Sequence, residues 1–86
     1  MFVVIFEFVA KTSANAQYNL ANLYSNGQGV VQDYVKAHMW WNLRAAEGDK
    51  EARENRDKVA KKMTKQQLVQ AEKLARECQA TKYFDC

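Results

Sequence analysis

One histidine and two cysteines are the residues of this 86-residue chain with the widest scope for chemistry. A histidine base needs a nucleophile within hydrogen-bond reach and a third group to orient the ring. No Ser or Asp is placed by sequence to complete such a set around His38, and Ser13 and Ser25 are better read as a helix cap and a turn residue. No catalytic residue is therefore assigned, and His38 is read as a structural neighbour of the Trp pair. Cys78 and Cys86 form a C-x7-C pair. A structural zinc needs four ligands, and His38 is the one imidazole available, so no metal and no cofactor is expected. A disulfide is the stronger reading, with two free thiols and intermolecular pairing left open. In unbroken helix the two residues would stand about 12 Å apart along the axis. A disulfide needs Cα atoms within about 7 Å, so pairing requires the chain to reverse after about Gln79 and to fold Tyr83 and Phe84 back. Such a bridge would suit an oxidising compartment.

The elements that position these residues read as helices. Proline is absent and glycine occurs three times, at Gly27, Gly29 and Gly48. Few breakers, with much Ala, Lys, Gln and Glu, favour helix over sheet. Ser13 is placed to cap a first helix that carries Ala16, Leu20, Leu23 and Tyr24 at helical spacing. Gly27 and Gly29 end it, because two glycines two apart supply the positive φ of a helix exit and loop. Asp33 caps a second helix running to about Glu47, with Ala37, Trp40, Trp41 and Ala45 on its apolar face. Gly48 ends that helix and Asp49 caps the next, over about residues 50 to 62. Thr64 and Gln67 fit a capping box for a fourth helix with Leu68, Ala71, Leu74, Ala75 and Cys78 on one stripe. The expected fold is all-α, two antiparallel hairpins stacked on one another. Adjacent Trp40 and Trp41 point about 100° apart on a helix, so one is expected inside and the other at an inter-repeat or exposed face.

A weak internal period supports stacking. Asp49, Ala52 and Asn55 follow Ser13, Ala16 and Asn19 by 36 residues, and two helices per such unit mark an α-solenoid. The run Ala16, Gln17, Tyr18, Asn19, Leu20, then Leu23 and Tyr24, Asn26 to Val30, Gln32 to Tyr34, Lys36 and Ala37, Trp40 and Trp41, and Gly48 with Asp49 resembles a Sel1-like repeat. The resemblance covers about residues 13 to 49, and the remainder resembles the helical cap that often follows the last repeat of bacterial members. It implies a TPR-like superhelix whose concave face binds proteins or peptides, a non-enzymatic scaffold with many periplasmic or secreted members. That and the cysteine pair slightly favour such a location. Its repeat core would comprise Ala16, Tyr18, Leu20, Leu23, Tyr24, Gly27, Gly29, Tyr34, Ala37, Trp40, Trp41, Ala45 and Gly48. Cysteine-rich relatives also space paired cysteines in this way. The alternative that the resemblance brings is penicillin binding or β-lactamase-type activity, as in those relatives. The serine lactamase pattern S-x-x-K is absent, since Ala16 follows Ser13 and Gln28 follows Ser25 at that spacing. The chain departs from the family pattern at Val31, usually proline, at Arg44, usually small, and at Ala21, usually glycine.

Three segments result: an apolar stretch over 1 to 12 in the place of a preceding repeat's helix, a Sel1-like repeat over 13 to 48, and a degenerate second repeat or helical cap over 49 to 86. With about one and a half repeats, the chain looks like the C-terminal end of a longer protein. The first segment is too short and interrupted by Glu7 for a membrane span. It lacks the basic flank of a signal peptide although Ala14-Asn15-Ala16 has an A-x-A look, so a signal, a truncated or altered start and a membrane-tethered tail stay open. If helical, Phe2, Ile5, Phe6 and Val9 form one stripe; if a strand, its β-branched residues suit pairing with a second copy. Either way a homodimer through this segment is expected. Those four residues and Trp41 are the candidate partner surface. The net charge is +3. The pairs Glu54 with Lys58, Asp57 with Lys61 and Glu72 with Arg76 stand at helical i,i+4 spacing and read as solvated faces. Lys58, Lys61, Lys62 and Lys65 make a local basic cluster without the Arg and interleaved aromatics of a nucleic-acid footprint, so no nucleic-acid partner is expected.

Overall fold

Short capping and stop signals divide the chain into four helices: α1 (Ala14–Asn26), α2 (Tyr34–Ala46), α3 (Lys50–Ala60) and α4 (Lys65–Ala80). The structure is a computed structural model that describes residues 14 to 82 and residue 86. Ser13 and the N-terminal residues Phe2, Ile5, Phe6 and Val9 lie outside the described residues, as do Tyr83 and Phe84. Among the described residues there is no strand, and no helix is long and apolar enough to cross a membrane.

The helix boundaries follow the local chemistry. Asp33 accepts the backbone N–H of Lys36 at 3.1 Å, and Asp49 accepts that of Ala52 at 3.0 Å. Each carboxylate thereby satisfies a donor that has no partner inside its own helix. Thr64 and Gln67 form the reciprocal capping box, at 3.1 and 2.8 Å. At the end of α2, Gly48 adopts φ +94, its N–H donates to Ala45, and Asp49 N–H donates to Arg44. This is a Schellman stop, which needs a left-handed residue after the helix. Asp49 thus closes α2 with its backbone while its side chain opens α3, and the turn between them needs only three residues. At the end of α1, Gly27 adopts φ +68 and its N–H bonds to Leu23 at 2.8 Å.

The close helix packings all involve α2, which lies against α1, α3 and α4. The second pair, α3 and α4, thus packs chiefly through α2. Both helices lean on α2 rather than on each other. The period explains part of this. α3 begins 36 residues after α1, but α4 begins only 31 after α2, because the second connection and α3 are both shorter.

A helix enclosed on three sides has no single apolar face. Ala37, His38, Met39, Trp40, Trp41 and Leu43 of α2 are all buried. Trp40 is 2% and Trp41 5% exposed. This corrects the expectation that Trp41 belongs to a partner surface: rings 100° apart each meet a neighbouring helix when there are three. Ala16, Tyr18, Leu20, Leu23, Tyr24, Tyr34 and Ala45 are half-buried, while Gly27, Gly29 and Gly48 stand at exposed turns. Beyond the expected core, Ala21, Met39 and Leu43 are buried, as is Gln17.

At the C-terminus, α4 closes on Thr81, and Lys82 takes the left-handed φ of +54. The chain reverses there. A disulfide joins Cys78, fully buried, to Cys86, with Cα atoms 5.2 Å apart. Cys86 packs against the core that Cys78 enters.

Candidate interaction face

Helices α1 and α3 hold equivalent places in the 36-residue period, and polar contacts join them. Asn55 donates to the Tyr18 hydroxyl at 2.7 Å. That hydroxyl accepts from the amide, and the Glu51 carboxylate lies near enough to act on its titration. The phenol pKa is raised above its ordinary 10.0, first by burial and then by the nearby Glu51 carboxylate. Tyr18 is therefore a neutral phenol throughout the physiological range, held by Asn55 of the neighbouring helix.

Beside this contact lies an open, polar cleft of about 410 Å³, walled by Asn15, Tyr18 and Asn19 of α1, Arg44 of α2, and Asp49 and Glu51 at the start of α3. Arg44 stands where the family usually has a small residue. Its Nε is buried and has no hydrogen-bond partner among the described residues. The cleft thus offers amides, carboxylates and one guanidinium, which can read polar backbone and charged side chains. Among the described residues that line it, no nucleophile stands paired with a base.

His38 lies elsewhere, in the core of α2 at 5% exposure. Its pKa is lowered from 6.5, first by burial and then by the Arg56 charge, with Glu72 and Asp57 opposing. Its Nδ1 has no hydrogen-bond partner among the described residues. Arg56 is held in place by Asn42 at 2.9 Å and Asp57 at 3.1 Å, which ties α3 to α2. Among the described residues no three His, Cys, Asp or Glu side chains converge as a metal site.

The loop of the first hairpin is braced by Gln32, whose Nε2 donates to the Ser25 carbonyl at 2.8 Å and lies 3.3 Å from the Tyr34 hydroxyl. Asp33 N–H donates to Tyr24 at 2.9 Å, so the end of α1 meets the start of α2. This loop-closed pair of helices is the unit that the Sel1 repeat family model matches, over residues 14–49. Over these 36 of its 86 residues the chain is similar to Sel1 repeats. No curated protein and no solved structure matches the chain.

The Sel1 repeat accounts for the spacing of Tyr18, the two loop glycines, Ala37 and the Trp pair, all inside the matched span. It does not include Asn55, whose contact with Tyr18 lies one period beyond. The signal for that residue was the 36-residue step from Asn19, which places Asn55 on the helix beside α1 without saying which side chain it meets. Arg44 was visible in sequence as a departure from the family pattern. Its position in the cleft was not, because that depends on how the ends of α1 and α3 meet the end of α2. Sel1 repeats are generally interaction scaffolds, and they mediate contacts between proteins.

Proposed function

We propose that this chain is a non-enzymatic protein-interaction module that engages a protein or peptide partner. The observation that carries this reading is the Sel1 repeat over residues 14–49, folded as a braced hairpin beside a second helix pair. The polar cleft at the junction of α1 and α3 supports it, since its amides and charged groups suit an extended peptide. The disulfide suits an oxidising compartment. A finer element of the proposal is self-association through the apolar residues 2 to 9, including Phe2, Ile5, Phe6 and Val9. Light scattering should report a dimer at micromolar concentration, and a monodisperse monomer would remove that element.

The test of the main reading is affinity capture with the whole chain as bait, followed by purified-component binding of the recovered protein. A saturable complex is the expected result. Nitrocefin turnover by the pure chain, abolished by changing one polar residue, would instead make it an enzyme of lactamase type.

A further inference from the structure

Five lysines gather at one end of the molecule. Lys36 opens α2, Lys58 and Lys61 close α3, Lys62 follows in the turn, and Lys65 opens α4; all five are exposed. Two contacts place Lys36 and Lys62. Lys36 Nζ stands 5.2 Å from the centre of the Tyr24 ring, and Lys62 Nζ stands 5.9 Å from that of Tyr34. The sequence showed only the local cluster of Lys58, Lys61, Lys62 and Lys65. Folding adds Lys36 and the two tyrosines to it.

The acids at this end are largely engaged. Asp33 caps α2, and Asp57 is paired with Arg56 at 3.1 Å. Glu54 lies a turn further back along α3. Exposed apolar residues collect here as well. Val31 is 87%, Val69 56% and Val30 36% exposed; two lie in the α1–α2 loop and the third is one turn into α4, four residues from Lys65. A cationic end with apolar points is complementary to one kind of protein segment.

Resting on the reading of the chain as a protein-binding module, we propose that this end docks an acidic segment of a protein partner, one bearing glutamates or aspartates with interspersed apolar side chains. Nucleic acid fits less well. No arginine stands in the group, and lysines already cover the two ring faces that would stack on bases. A membrane surface fits less well too, because three valines do not make the broad apolar face of an interfacial helix.

The probe is a fluorescein-labelled synthetic peptide of glutamates with interspersed leucines, titrated with the intact chain and read by anisotropy. Binding should weaken with added salt, because exposed charges are screened. The double variant Lys61→Glu with Lys62→Glu should bind about tenfold more weakly, as expected when opposed charges are inverted. Lys61→Gln with Lys62→Gln should lose a smaller part. Lys50→Glu with Lys73→Glu, an equal charge change away from this end, should stay within about twofold. Circular dichroism confirms the fold of each variant. Absent binding, equal losses in the two Glu variants, or tighter binding of phosphatidylserine vesicles or a single-stranded oligonucleotide through the same lysines would each overturn the proposal. If capture of a protein partner survives in the Lys61 and Lys62 variants, this end is not the site and the module reading stands. If the unaltered chain forms no complex with any protein, the reading beneath fails as well.

Discussion

Trp40 and Trp41 show how far a residue's role depends on what surrounds its helix. Their type and spacing marked them as large core residues, and that was legible. That both would be buried was not, because adjacent rings can share burial only where helices lie on more than one side. Trp40→Ala should cost about 3–5 kcal/mol, the usual range for deleting a buried large ring. Urea denaturation measures this, and a change under about 0.5 kcal/mol would put the ring at the surface. The burial of His38 was not legible in the sequence, since it arises from the enclosure of α2. Its pKa is lowered in the folded chain, chiefly by burial. The unfolded chain therefore binds the proton more readily. The contribution of neutral His38 to stability is present above the unfolded value of 6.5, and it is lost as pH falls through the lower folded value. Lowering the pH from 7 through about 6 should therefore destabilise the native chain. A His38→Gln variant should show a flatter dependence across that window, and identical pH profiles for the two proteins would contradict the assignment.

Element boundaries were the most legible level, because each cap is settled within four or five residues. Asp33, Asp49, Thr64 with Gln67, and Gly48 all act where their types and order placed them. Thr64→Ala should cost about 1 kcal/mol by releasing the N–H of Gln67. Gly27 and Gly29 separate backbone strain from crowding. Both have positive φ, but a Cβ on Gly27 would lie 3.2 Å from the Gln32 Cβ, and one on Gly29 would meet nothing within 4 Å. Gly29→Ala should cost about 1 kcal/mol for the left-handed backbone alone. Gly27→Ala should cost measurably more, since it also pushes on the residue that braces the loop. Equal thermal midpoints for the two variants would argue against that brace. The charge pairs were less legible. Glu54 with Lys58, Asp57 with Lys61, and Glu72 with Arg76 do not close as ion pairs among the described residues. Asp57 instead meets its neighbour Arg56, which reaches from α3 to Asn42 of α2. Exposed pairs contribute little, so i,i+4 spacing alone does not choose among partners.

At the scale of the molecule, the all-α class and the first hairpin could be read from the sequence, whereas the arrangement of the second pair could not. Helices α3 and α4 have their own caps and apolar residues, and these say only that each helix must rest on something. What they rest on is α2, and that makes the fold depend on one helix. The tail depends on one bond. α4 packs chiefly on α2, Lys82 takes a left-handed φ just after it, and the bridge from Cys78 holds Cys86 to the core. The two cysteines are separated by 8 positions, so the closed loop is short. On the loop-closure model such a bridge lowers the entropy of the unfolded chain by an amount equivalent to about 2.5 kcal/mol at room temperature. For a domain of this size, that corresponds to a fall of roughly 10–20 °C in the thermal midpoint on reduction. The loss should appear in the helical signal and in Trp fluorescence together, because α4 supports the helix that carries both Trp rings. Thermal scans with and without reductant measure it, alongside thiol titration of the denatured, unreduced chain. Two titratable thiols would refute the bridge. An unchanged midpoint with no titratable thiols would mean that the bridge forms but that the tail it holds contributes nothing to the core.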